Sequence, residues 1–533
     1  MDISPLGLAR NTLPHIPLIL KTAFLALFGW SPNSPVQDAI TEIITVAARP
    51  HLSTPTTLLK SQQQSRVDHG IWGRMWISKY TILSPEKEPN SHTGICGVYE
   101  ALTKAIEALG DGSESYTPLV VANVETEWTG YRQGVSHIAR SPDISEREKY
   151  ERMMEEVELD SPVILYFHGG AFCLMDPATH RWTTSSLAQH TRGRCLSVRY
   201  RLAPQHPFPS ALLDALIAYL ALISPPPGSF HEPTSPSKII IAGDSSGAGL
   251  AASLLQLLLT LPRIGISRIC FHDRDVDITT PSAGLALTSP WFDISRALPS
   301  VTRNTRYDII APPSEDSTIP HPNFPADSIW PASPPRVETY CEASMVDHPL
   351  VSPLATHKYL WDGAPPVYLS VGWEGMQDEA EVFARRVYAA GGTVGFDGYE
   401  GMPHCFSMIP WNRAGRSAFS NWATFCRQAV RGGVARVDYG TWTNKHGAVR
   451  AVGLMELGMC IQGEVRVRDE DLDDVMVDQA IATQKAWRVR LEESLRIKWK
   501  ASRMPAKEVR ARNTVRWAAT AAMMRPRRRQ NLA

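Results

Sequence analysis

The sequence predicts an α/β protein: a mostly parallel central sheet with helices on both faces and a helical cap at the N-terminal end. Three observations carry that expectation. Short β-rich runs alternate with helical stretches between residues 116 and 431. Several runs, Ile239–Ile241 among them, are apolar on both sides, as strands in the middle of a covered sheet are. Glycine-marked turns, "HGG" after Phe167 and "GDSSG" after Ala242, join strand ends to helix starts.

In chain order, residues 1–115 read as helical. Apolar residues recur at helical spacing through 31–50 and again through 98–112, where Gly110 and Gly112 end the pattern. Leu13 to Trp30 is apolar but broken by His15, Pro17 and Lys21, so it falls short of the roughly 20 clean residues of a spanning helix. Residues 13–30 are expected to lie on a surface, that of a membrane or of the pocket they cover. Strands follow at 118–128, 161–167, 195–204, 238–243, 283–290, 366–372 and 393–399, with helical stretches between most of them. Residues 224–238 and 311–336 are rich in Pro and Ser and read as loop insertions in the 116–431 domain. Residues 432–533 form a C-terminal extension. It has an acidic patch, a helix at 479–500 expected to pack on the main body, and a basic, solvated tail with twelve Lys or Arg from Arg496 onward against Glu508 alone.

With 54 basic and 54 acidic residues among 533, the net charge is zero, so no global field recruits nucleic acid and no nucleic-acid partner is expected. Nothing in the sequence sets an oligomeric state. The eight cysteines are scattered, with no CxxC pair and no histidine at zinc spacing, which points to reduced thiols and no metal. The absence of an N-x-Ser/Thr sequon and of a leader-like start points to an intracellular protein, cytoplasmic or resting on an internal membrane. "DRDVD" at 273–277 hints at a calcium loop but has Ile278 and Gly284 where such a loop needs Gly and Glu.

The chemistry starts at Ser245. In Gly243-Asp244-Ser245-Ser246-Gly247 the serine stands between a buried strand and a helix, and small residues two positions either side let neighbouring backbone pass close. A nucleophilic serine attacking a carbonyl needs N–H donors for the oxyanion. Gly169 and Gly170, after a strand and without side chains in the way, are the expected donors, together with the amide of Ser246. His168 is expected to brace that loop. The base is His404, in a loop just past the last strand of the series. Two carboxylates follow the preceding strand. Glu374 comes directly off its end and is favoured as the acid; Asp378 is the alternative, at a helix start where a carboxylate is expected anyway.

"HGGAF", "YRLAP", "GDSSGAG", "VSPL" at 351–354 and "GMPHCF" together resemble the hormone-sensitive-lipase-like branch of the α/β-hydrolases, over about residues 128–430. The N-terminal helices and "EWTGYR" look like those of fungal members. The resemblance implies an esterase or lipase with a Ser245–His404–Glu374 triad that needs no cofactor and acts on a hydrophobic small-molecule ester. Three departures stand out: Ala171 for the usual third loop glycine, Ser246 for the usual alanine, and Glu374-Gly375-Met376 for the common Asp-Pro-Leu acid motif. A non-catalytic binding protein on the same fold and an acyltransferase with the same triad are the competing expectations.

Overall fold

The parallel core forms where apolar runs of five or six residues leave no polar face. In the computed structural model, which describes residues 12–53, 56–85, 95–310, 324–408, 412–459 and 471–503, three helices come first: α1 (Ile16–Leu27), α2 (Ala39–Ser53) and α3 (Leu58–Ser65). Next come β1 (Met75–Ile82), α4 (Val98–Leu109), β2 (Val124–Tyr131), α5 (Glu146–Met154), β3 (Val163–Phe167), α6 (Pro177–Thr191) and β4 (Arg194–Arg199). The middle of the chain supplies α7 (Ser210–Ile223), β5 (Ile239–Asp244), α8 (Ser245–Arg263), a hairpin of β6 (Arg268–Phe271) and β7 (Arg274–Asp277), β8 (Gly284–Thr288) and the short α9 (Ser300–Arg303). Last are β9 (Val367–Gly372), α10 (Gln377–Ala389), β10 (Val394–Tyr399), α11 (Arg413–Ala429), β11 (Tyr439–Thr443), β12 (Val449–Gly453) and α12 (Asp474–Ser502).

Ten strands make one sheet, in the order β1-β2-β4-β3-β5-β8-β9-β10-β11-β12. From β4 to β11 every neighbouring pair is parallel, while β1–β2, β2–β4 and β11–β12 are antiparallel. β3, β5, β8 and β9 are buried at every residue. The period-2 alternation of side chains divides the core between the two faces. Leu165, Phe167, Ile239 and Ile241 pack with residues of α7 and α8, whereas Ile164, Tyr166, Ile240 and Ala242 meet Trp422 and Phe425 of α11.

Two expectations need correction. Residues 1–115 are not wholly helical, because "MWISKYTI" is β1, paired in register along its whole length with β2. Its β-branched and aromatic content suits a pleated surface, and its partner lies too far along the chain for the pairing to show as a hairpin. Nor does the body stop at residue 431. β11 pairs with β10 and carries β12 with it, so 439–453 extend the same sheet. The run expected at 118–128 becomes a strand only from Val124.

Beyond the sheet, α12 packs on the main body as the sequence suggests. Arg488 and Glu338 form a buried ion pair at 2.6 Å, and Glu492 Oε2 accepts the N–H groups of Val337 and Ala343 at 3.1 and 3.2 Å. From the acidic patch, Asp474 and Asp478 hold Arg386 of α10 at 3.0 and 2.7 Å. The basic tail beyond residue 503 and residues 311–323 of the second insertion lie outside the described residues. Within the described part of that insertion, Asp327 accepts an N–H from the first turn of α3, that of Leu59, at 2.7 Å. The seven cysteines among the described residues are all free thiols.

Candidate active site

The site gathers at the carboxyl ends of β3, β5, β9 and β10. Ser245 opens α8 directly off β5 with φ +51°, the tight strand-to-helix turn that the GxSxG pattern predicts. Gly247 makes the turn possible: a Cβ there would stand 2.1 Å from the main-chain oxygen of Phe167 and 2.4 Å from that of His168. Nine per cent of Ser245 is exposed, and its Oγ lies 2.9 Å from His404 Nε2.

On the other side of the imidazole, Nδ1 faces Glu374 Oε2 at 3.5 Å. Asp378 does not reach it, because its carboxylate accepts the N–H of Ser300 at 2.8 Å and pairs with Arg303 at 2.5 Å. Of the two carboxylates left open by the sequence, the fold brings Glu374 to the histidine. Burial would lower the His404 pKa, yet the neighbouring Cys405 and Glu374 outweigh it and hold the imidazole well above its ordinary value. Burial pushes the Cys405 thiol up to about 11. Glu374 is the carboxylate that faces Nδ1 of the ring. Burial raises the Glu374 carboxyl as well, against the pull of His404.

The loop after β3 departs from expectation at one residue. Gly169 donates its N–H to Asp244 Oδ1 at 3.1 Å, so it is not available to an oxyanion. That carboxylate also accepts the Tyr166 hydroxyl at 2.7 Å and faces His180. The amides of Gly170, Ala171 and Ser246 make no hydrogen bond to the described residues. Of the expected donors, Gly169 is thus engaged, while Gly170 and Ser246 keep amides without a partner among the described residues, and Ala171 offers a third. Gly170, Ala171 and Phe172 all have positive φ, +114°, +54° and +60°. Ser246, unusual at its position, pins this strained run by accepting the Phe172 N–H at 3.1 Å through its hydroxyl. His168 sits beneath the loop as a brace. Its Nδ1 donates to Gly169 O at 2.7 Å, its ring stacks on Tyr200 at 4.4 Å, and burial lowers its pKa to about 4, so it is neutral at physiological pH.

Sequence reasoning missed the residues that hold the base and acid in place. Ser289 donates to Glu374 Oε2 and accepts the Cys405 N–H, both at 2.9 Å. Asn304 donates to the main-chain oxygen of Glu374 at 2.9 Å. Asp308 accepts the N–H of Gly375 at 2.8 Å and that of His404 at 3.0 Å. From the N-terminal segment, Gln37 donates to Gly401 O at 2.6 Å, Gln62 to Ala203 O at 2.8 Å, and Ser65 Oγ accepts the Met175 N–H at 3.0 Å. Most of these contacts end on main-chain atoms, which leave no trace in residue spacing.

A buried serine, histidine and carboxylate arranged in this way on a mostly parallel sheet define a serine-hydrolase-like centre on an α/β-hydrolase fold. Comparison with known proteins gives the family. Residues 164–408 match the family model described as the α/β hydrolase fold. An acetyl-hydrolase of Streptomyces hygroscopicus is 29% identical over 277 residues, covering 52% of this chain and 78% of that protein. An esterase of Acinetobacter venetianus is 30% identical over 266 residues, covering 49% of this chain and 74% of its own. A solved esterase from the bacterial hormone-sensitive lipase family is similar at 21% identity and a TM-score of 0.46, over 74% of this chain and 99% of that one. The chain belongs to the α/β-hydrolase family and is a carboxylic ester hydrolase.

Proposed function

We propose that the protein hydrolyses a hydrophobic small-molecule ester through an acyl-enzyme on Ser245. The observation that carries this reading is the 2.9 Å contact between Ser245 Oγ and His404 Nε2, with Glu374 on the far side of the ring. Ser245 Oγ attacks the ester carbonyl carbon as its proton passes to Nε2, and the carbonyl π pair moves onto the oxygen. The amides of Gly170, Ala171 and Ser246 hold that oxyanion. On collapse, the C–O bond to the alcohol breaks and Nε2–H protonates the leaving oxygen. Water then attacks the acyl carbon, gives its proton to Nε2, and the second collapse returns a proton to Ser245 and frees the acid.

Aromatic side chains beside the loop support an apolar substrate. Phe172 stacks on Tyr340 at 3.8 Å and lies 6.0 Å from Trp291. Residues 12–65 cap the site, through the contacts of Gln37, Gln62 and Ser65. α1 and its flanks add a surface for a lipid interface, exposing Leu13, Leu18, Leu20, Phe24, Leu27 and Trp30 to more than half of their area.

The test is hydrolysis of a p-nitrophenyl ester series from acetate to palmitate by the intact protein and by Ser245→Ala. Turnover peaking at one acyl length and abolished in the variant supports the reading. Absent or unchanged turnover sinks it and favours a binding role, while product diverted to a new ester by added alcohol identifies acyl transfer.

A further inference from the structure

We infer that Asp308 is a positioning residue for the triad, a role that rests on the serine-hydrolase reading above. Its side chain is buried, with 1% of the residue exposed, and lies at a junction of three parts of the site. Oδ2 accepts the N–H of Gly375, the residue after Glu374, at 2.8 Å. Oδ1 accepts the N–H of His404 itself at 3.0 Å. One carboxylate thus ties the peptide carrying the acid to the peptide carrying the base, 30 positions further along the chain. Charge-assisted bonds of this kind are shorter and stronger than neutral ones, and two from one rigid group fix relative position as well as distance.

Asp308 is held in turn from outside the catalytic loops. Arg49 of α2 donates to the main-chain oxygens of Asp308 and Thr305 at 2.8 and 2.6 Å. The Arg49 and Arg296 guanidiniums also face the carboxylate and offset its buried charge. Asp308 touches neither Ser245 nor the space in front of it, so it acts on the reaction through the placement of His404 and Glu374. The 3.5 Å separation of His404 Nδ1 and Glu374 Oε2 is the distance that this junction sets.

The experiment compares the full-length protein with Asp308→Asn, Asp308→Ser, Arg49→Ala and Ser245→Ala on the best p-nitrophenyl ester. It reads kcat and KM separately, the pH profile of kcat/KM and the thermal midpoint. The expected result is a fall in kcat of about 10- to 100-fold in both Asp308 variants at unchanged KM, since misplaced catalytic groups slow the chemical step without touching bound substrate. The acidic limb of the profile should move to lower pH, because a carboxylate bonded to the His404 peptide is lost, whereas Arg49→Ala, which leaves that carboxylate in place, should lower kcat more weakly without moving the limb downward. Folded Asp308 variants with kcat within twofold of the parent and an unmoved limb overturn the role. If neither Asp308 variant folds, Arg49→Ala decides: an unchanged kcat overturns the inference, and a lowered kcat at unchanged KM supports it. Turnover that survives Ser245→Ala removes the nucleophile, and the positioning role falls with it.

Discussion

Gly169 gives its N–H to Asp244, the residue immediately before the nucleophile, at 3.1 Å. The elbow and the oxyanion loop are therefore one bonded unit. A Cβ at Gly169 would meet Asp244 Oδ2 at 2.3 Å and Ser245 Cβ at 3.0 Å, and one at Gly170 would meet Leu174 O at 2.3 Å from a backbone at φ +114°. Gly170→Ala, which displaces an oxyanion donor, is expected to lower kcat by about 100-fold, and Gly169→Ala, whose Cβ pushes the loop off Asp244 and Ser245, is expected to lower it as well. Steady-state kinetics of the two variants, with circular dichroism to confirm folding, checks this.

The two carboxylates after β9 should separate cleanly. Glu374→Gln keeps the side chain's size but removes the anion facing Nδ1, and is expected to reduce kcat by about 1,000- to 10,000-fold. Asp378→Asn instead breaks the contact with Arg303 and should lower the unfolding midpoint while leaving kcat within a few-fold of the parent. Kinetics and thermal unfolding of the pair decide between them.

The acidic limb of the pH–rate profile should lie above pH 6.5. His404 is raised despite its burial, and it must be neutral to take the Ser245 proton, so activity is lost as pH falls through the raised value. Removing the Glu374 charge withdraws stabilisation of the imidazolium, so the limb of Glu374→Gln should move to lower pH. A limb that stays in place, or moves upward, contradicts the pairing.

Arg488 on α12 should matter for stability. Removing it leaves the buried Glu338 carboxylate without its 2.6 Å partner, and loss of one member of such a pair costs about 3–5 kcal/mol. Arg488→Ala is expected to unfold at lower denaturant with the m-value unchanged, and replacing both residues by Met should recover most of the loss.

Vesicle binding tests α1. Sedimentation with neutral phosphatidylcholine vesicles should carry down the intact protein, and the triple change Leu20→Glu, Phe24→Glu and Leu27→Glu should abolish this without lowering turnover of a soluble short-chain ester. Equal sedimentation of both proteins contradicts the surface role.

Ser245 and His404 were legible because each carries its own context. One has glycines at a strand-to-helix turn; the other follows the last strand of the predicted series. Glu374 was only half legible, since two carboxylates follow β9 and the fold alone shows Asp378 turned to Arg303. That the Gly169 N–H is engaged is not legible, because the group that takes it, Asp244, lies 75 residues further along the chain. Asp308 and Ser289 bind main-chain N–H groups, a role any short polar residue can fill, so neither stands out in the sequence. β1 and β12 were hidden by position. Each is an edge strand with one sheet neighbour, and the edge of β12 leaves Val449 and Arg450 exposed.

Gln37 and Arg49 reach from the N-terminal segment to the loops of His404 and Asp308. The covering of the pocket is consequently not a module. A graft that replaced residues 37–49 with the corresponding stretch of a relative, made only to alter which esters enter, would also exchange two of the fastenings of proton transfer. Recombination within such a family is then constrained to partners that bring equivalent fastenings, and specificity and rate are inherited together.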